Sequence, residues 1–239
     1  MLPRIYSPQP LLLAQTQLLD VAASHHLKVL RVNTNDKLVL FDGQDQQYLA
    51  IITKIGKQIE VYIESKQAKS VESPLRLHLA QSLLRTDKMD WVIQKTVELG
   101  VSSIQLLYTQ HTVIKLTPPR LAKKMDHWQK VIQSACEQCE RNQVPQLLPP
   151  LSLNHYLSRE LDGPLLWMDP HARHSLAQLT PPLPMIRLLL GPESGFSELE
   201  HSLLTKYATP CRLGPRILRA ETAPLAAISA LQTLYGDLG

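Results

Sequence analysis

The hydrophobic period of this chain changes at residues 65–74, the polar stretch SKQAKSVESP, and that change limits the fold more than any other feature. Before it, apolar residues recur every second position: Ile59, Val61 and Ile63 in one run, Ile51 and Ile55 in another. Such alternation predicts half-buried strands over residues 48–55 and 58–65, with Gly56 as the hairpin turn between them. A third strand over 37–41 closes on Asp42-Gly43, a dipeptide suited to a tight turn. Several short strands with turn signals predict a small barrel. With 239 residues, 44% hydrophobic and 19% charged, the chain can bury a full core and sits where one domain becomes two. Disordered and fibrous classes are excluded.

After Pro74, strands alternate with helices, the pattern of a largely parallel sheet covered on both faces. Residues 75–80 read as its first strand. Thr86 or Asp87 is the expected cap of a helix carrying Met89, Ile93 and Val97 on one face and ending at Gly100. Residues 101–107 return as a strand. A long helix starts after Thr117 with Pro118 and Pro119 in its first turn, and its stripe is Leu121, Met125, Trp128, Ile132, Ala135 and Cys139. Residues 165–168 and 186–190 are apolar runs of buried-strand length. Ser197 and Glu200 form a capping box for a helix to about Tyr207, and an Ala-rich helix runs from about Thr222 to Tyr235.

Composition narrows the function. No apolar run approaches the roughly 20 residues that span a bilayer, and MLPRIYSPQP lacks the layout of a secretory signal, so a soluble, cytoplasmic protein is expected. Three cysteines cannot build a disulfide framework. A net charge of +4 permits a polyanionic partner without requiring one. Nine glycines, none in a GxGxxG or GxxxxGK array, argue against a dinucleotide or P-loop site.

Several residues invite sharper readings that plainer ones absorb. Cys136 and Cys139 form a CxxC, but no second pair follows and both lie on the core stripe of a helix. His171 and His174 have no third ligand at a metal-site interval, and His25 and His26 read as structural or surface residues. Arg120, Lys123, Lys124 and Lys130 face away from the same stripe, as the solvated side of an amphipathic helix does.

The last third differs in kind. A buried-strand run ends directly in Gly191-Pro192-Glu193-Ser194-Gly195-Phe196-Ser197, and a second turn, Arg212-Leu213-Gly214-Pro215, leads into Arg216-Ile217-Leu218-Arg219-Ala220-Glu221-Thr222. Strand ends of open α/β sheets are where ligands bind, and glycine lets them approach the backbone. At these residues the sequence resembles the 16S ribosomal RNA uracil-N3 methyltransferases, members of the SPOUT class of knotted S-adenosyl-L-methionine enzymes. LLLGPESGFSELE is similar to that family's GPEGG loop, with Ser194 in place of the second glycine, and RLGPRILRAETAPLAAISALQTLYGDLG is similar to its LGxRILRxETA helix. LLRTDKMDWVIQKTVELGV, EQCERNQVP and HHLKVLR extend the resemblance to nearly the whole chain.

The resemblance implies an N-terminal PUA-like β-barrel that binds RNA, residues 1–72, and an α/β SPOUT domain with a C-terminal trefoil knot, residues 73–239. It implies a homodimer without metal, acting on 16S ribosomal RNA or the small ribosomal subunit. Leu190, Gly191, Glu193 and Gly195 are then expected on one side of the S-adenosyl-L-methionine site, and Leu213, Gly214, Ile217, Leu218 and Thr222 on the other. Arg4, Arg31, Lys88 and Arg141 are the candidate RNA contacts. Methylation at N3 requires an unpaired or flipped base and loss of its N3 proton, so Arg219 is the expected donor to the developing oxyanion and Glu221 the proton acceptor or its positioner, the plainer reading being that Glu221 pairs with Arg219 or complements the N-terminus of the following helix. A 2′-O-ribose methyltransferase and a non-catalytic ribosome-assembly RNA binder are the rival readings.

Overall fold

The computed structural model describes residues 2–160, 162–178 and 184–239, the side chain of Thr86 excepted. They form two compact units, Met1–Glu72 with Gln133–Val144, and Ser73–Ile132 with Pro145–Gly239.

The first unit holds β1 (Arg4–Tyr6), β2 (Thr16–Leu18), α1 (Val21–Val29), β3 (Lys37–Phe41), β4 (Gln47–Ile55) and β5 (Ile59–Gln67) in one five-stranded sheet of order β1-β3-β4-β5-β2. The three strands expected from alternation pair antiparallel, and Ile59, Val61 and Ile63 all turn inward. With Ile5, Leu38, Leu40, Ala50 and Ile52 they build one core, the PUA-like barrel of the expected fold class. Helix α1 closes it, adding Ala23 and Leu27; Asp20 caps the helix by accepting from the Ala23 N–H. This helix corrects the strands-only reading of residues 1–65. β1 and β2, at three residues each, are too short to display a period.

Segment 133–144 belongs to this unit because it supplies partners for the unit's polar groups. Arg141 is 4% exposed, and its Nε and Nη2 donate to the Glu72 carboxylate at 3.1 and 2.5 Å. Arg4 lies over the Phe41 ring at 4.7 Å and donates to Gln47 Oε1 at 2.9 Å, to the Arg141 carbonyl at 3.2 Å and to Asn142 Oδ1. Both were expected to contact RNA. The structure corrects this for Arg141, which is sealed against Glu72 and cannot also grip a phosphate, whereas Arg4 is only half-buried, with Nη1 and Nη2 engaged and its Nε without a partner among the described residues. Arg31 remains exposed. Cys136 is fully buried, and burial pushes its thiol up to about 12, which keeps it protonated and supports the core reading of the CxxC.

The second unit is a six-stranded, all-parallel sheet of order β11-β9-β10-β6-β7-β8. Its elements are β6 (Arg76–Ser82), α2 (Thr86–Glu98), β7 (Val101–Tyr108), α3 (Pro118–Cys139), β8 (Gln146–Ser152), α4 (Leu153–Leu157), β9 (Leu165–Met168), β10 (Met185–Leu190), α5 (Glu198–Tyr207), β11 (Thr209–Cys211) and α6 (Ala223–Tyr235). The last turns of α3 pack in the first unit. Helix α2 is not capped as expected: the N-cap position is Arg85 without a side-chain bond, Asp87 already lies in the first turn, and a Thr86 cap falls outside the described side chains. Gly100 has φ +86°, and a Cβ there would come within 2.6 Å of Gln232 Nε2, so only glycine ends α2 this way. Ser197 and Glu200 form the expected capping box on α5. Trp128 docks α3 on α2 by donating from Nε1 to Asp90 Oδ1 at 2.9 Å, while His127 Nε2 pairs with Asp90 Oδ2 at 2.7 Å. Helix α3 has no acid in its first turn, and Arg120 there opposes the helix dipole at a cost of about 0.3–1 kcal/mol. Among the described residues no helix is long and apolar enough to cross a membrane.

Candidate functional site

Three neighbouring strands, β11, β9 and β10, end side by side, and a cavity of about 410 Å³ opens at their C-terminal ends, a volume suited to a small-molecule ligand. Its floor is the strand ends Met168, Leu190 and Cys211, and its walls are the loops that follow each strand. Leu190, Gly191, Glu193, Gly195, Leu213, Gly214, Ile217 and Leu218, all expected from sequence, line it. Thr222 does not; it stands at the N-cap of α6, between Ala220 and Ala223, which do line the cavity. The wall formed by Trp167, Asp169 and His171 was missed by sequence reading, although β9 ends as β10 does and its end was an available signal. Among the described residues no three His, Cys, Asp or Glu gather in a metal-ligand group.

The loop after β10 is fixed from several sides. Gln81, buried at the end of β6, donates from Nε2 to the Gly191 carbonyl at 3.5 Å. His111 Nδ1 lies 3.2 Å from the Gly195 carbonyl, and the Gln110 N–H donates to Glu200 Oε1 at 2.8 Å. Trp167 and Phe196 meet edge to face at 6.1 Å. Gly195 has φ +69°, whereas Ser194 is not among the positive-φ residues, so the serine occupies a backbone region open to any side chain.

The residues fit an adenosyl cofactor. Leu190, Leu213 and Leu218 give apolar walls for a base, and at Gly195 and Gly214 an added Cβ would meet nothing within 4 Å, so the backbone lies open to a ligand. Gly195→Val and Gly214→Val force a β-branched residue into a left-handed backbone, at φ +69° and +109°, and are expected to weaken S-adenosyl-L-methionine binding at least tenfold, about 1.4 kcal/mol. Titration calorimetry giving wild-type affinity in both folded variants would overturn the cofactor assignment.

At the same loops the structure gathers charges that the sequence scatters. Lys88 Nζ lies 3.1 Å from Glu221 Oε2 and 3.6 Å from Glu193 Oε1, so this lysine ties the start of α2 to both cofactor loops. Arg219 Nη1 is 4.0 Å from Glu221 Oε1, but its side chain is 84% exposed and free to meet a substrate. Burial pushes the Glu221 carboxyl up, yet its own backbone N–H, Lys88 and Arg219 outweigh that and hold it below the usual carboxylate range. It is ionised at neutral pH.

Comparison with known proteins agrees with this geometry. Residues 71–232 match the RNA methyltransferase domain, and residues 19–62 match the RNA methyltransferase PUA domain. Ribosomal RNA small subunit methyltransferase E of Buchnera aphidicola from Schizaphis graminum is 38% identical over 99% of this chain and 98% of its own. A Legionella pneumophila methyltransferase, Lpg2936, solved in complex with bound SAM, superposes with a TM-score of 0.96 at 37% identity over the whole of both chains. Ribosomal RNA small subunit methyltransferase E of Neisseria gonorrhoeae, solved bound to S-adenosyl methionine, gives 0.94 at 38% identity, again over both whole chains. A parallel sheet with its cavity at three strand ends, a PUA-like barrel and full-length similarity at this level lead to one conclusion: the chain belongs to the ribosomal RNA small subunit methyltransferase E family of RNA methyltransferases.

Proposed function

We propose that this S-adenosyl-L-methionine-dependent ribosomal RNA methyltransferase acts on N3 of a uridine in 16S ribosomal RNA. The observation that carries the reading is an exposed Arg219 with Glu221 4.0 Å from it, beside the cofactor loops. The cofactor, when bound, supplies an electrophilic methyl group. The chain's own task is to present a uracil whose N3 proton has left. As that proton departs, negative charge spreads onto the flanking carbonyl oxygens, and the Arg219 guanidinium reaches from its exposed position to donate to one of them. In this reading Glu221, paired with Lys88 and Arg219, orients them and takes the proton. A carboxylate with a lowered pKa is a weak base. The imide N–H is the more acidic of the two candidate protons, so it is the easier one for such a base to take.

In this reading residues 1–72 hold RNA, with Arg31 as one contact, and residues 73–239 carry the chemistry; the match to an RNA methyltransferase PUA domain supports the division. Lys88, also expected to touch RNA, acts instead through Glu193 and Glu221. The reading includes the trefoil knot, supported by the convergence of loops 191–197 and 212–222 on one cavity, and the homodimer that the resemblance implies.

Incubating the protein with labelled cofactor and unmodified small subunits, then identifying the nucleoside by mass spectrometry, tests the assignment. N3-methyluridine is the expected product. 2′-O-methyluridine, or no transfer, would overturn it.

A further inference from the structure

We infer that the outer face of α3, with the segment leading into it, is a cationic track that holds the phosphate backbone of the RNA substrate, an inference that rests on the function proposed above. Lys115, Arg120, Lys123, Lys124 and Lys130 form it. All but the half-buried Lys124 are exposed, and among the described residues none of the five makes an ion pair. His127 lies on the same face but is engaged by Asp90.

An ordinary solvated helix face does not explain this pattern. Helix α5 places Glu198 and Glu200 in its first turn and Lys206 in its last, and α2 has Asp87 first and Lys95 last, each complementing the helix dipole. Helix α3 reverses that order: it starts with Arg120 and then Lys123 and Lys124, with no acid in the first turn. Cations there destabilise the helix, so a polyanion that would neutralise them accounts for an arrangement that folding alone disfavours. From Arg120 to Lys130 the axis advances about 15 Å at about 1.5 Å per residue. That length matches roughly four charges of one nucleic-acid strand at about 3.4 Å per charge.

The track also begins near the chemistry. His111, whose ring meets the Gly195 carbonyl, is followed by Lys115 and then by α3 at Pro118. Seven residues of extended chain reach at most about 25 Å, so the first cations lie within one nucleic-acid turn, about 34 Å, of the cofactor loop. The side chains that touch the cofactor cavity are not part of the track, and α3 supplies none of its lining.

The test uses the full chain and a small-subunit ribosomal RNA fragment containing the methylated site, with affinity measured across salt concentrations. The variant Arg120→Gln/Lys123→Gln/Lys124→Gln/Lys130→Gln is expected to bind at least tenfold more weakly near 0.1 M salt. Its slope of log affinity against log salt should be shallower by about 3, close to 0.7–0.9 per lost phosphate contact. Cofactor affinity should be unchanged. Lys123→Glu/Lys124→Glu should melt no lower than wild type, because acids suit a helix start, while losing still more RNA affinity. A glutamine variant with wild-type affinity and slope, while the parent protein binds and methylates RNA, would overturn the track and leave the function standing. A parent protein that neither binds nor methylates RNA would overturn both.

Discussion

Arg219→Ala is expected to lower kcat by roughly 10²-fold or more while leaving cofactor affinity largely intact. Among the described residues Arg219 has a single ionic neighbour, Glu221 at 4.0 Å, and an 84% exposed side chain, so its removal leaves no cavity and strands no buried charge. What it removes is a donor to charge that exists only in the transition state. Lysine at this position should restore part of the rate, since an ammonium offers charge without the planar fork. Single-turnover methylation with saturating cofactor and RNA is the deciding measurement, and a near-wild-type rate for the alanine variant would make Arg219 a bystander. The pH profile of the same reaction follows from Glu221. Its carboxyl is held below the usual range, so it stays ionised from neutral pH down past the point where an ordinary glutamate protonates. The rate should therefore show no protonation of this group between about pH 6 and 8, and should rise toward alkaline pH as N3 itself begins to ionise.

Glu72→Ala is expected to lower the stability of the first unit by about 3 kcal/mol, the low end for a broken buried ion pair, because the Glu72 side chain keeps 15% exposure. The loss arises from Arg141, which remains 4% exposed with its Nε and Nη2 deprived of their carboxylate. Hydrogen exchange of amides in β3, β4 and β5 reports the opening energy of this unit directly. The double variant Glu72→Leu/Arg141→Met should cost clearly less than Glu72→Ala, since it removes both charges instead of stranding one. A loss under about 1 kcal/mol in Glu72→Ala would mean that the guanidinium finds water or another partner.

These two residues mark where sequence reading succeeds and where it stops. Arg219 is legible because its chemistry is local: it stands eight residues after a strand end, in a loop dense with charge and turn residues. Arg141 misleads because an arginine in a charged stretch, EQCERNQ, looks the same whether it faces phosphate or is sealed against Glu72, a residue 69 positions away. Lys88 shows the same gap from the other side. Nothing near it announces that Glu193 and Glu221, each more than a hundred positions distant, will close around its ammonium.

Local pattern by itself determined the change of architecture near residue 72, the alternation of β4 and β5, the helices α2, α3, α5 and α6, the capping box at Ser197, and the two glycine loops at strand ends. Each is written within about a dozen residues by hydrophobic period, capping side chains and turn chemistry, which act over a few bonds. Only the tertiary structure decided the strand order that sets β11, β9 and β10 side by side, and with it the third cavity wall at Trp167, Asp169 and His171. It alone recruited residues 133–144 into the first unit and buried Arg141 there. Strand order and burial follow from which apolar faces and buried charges satisfy one another across the whole chain, and a periodicity of two or 3.6 residues is the same whichever partner is chosen.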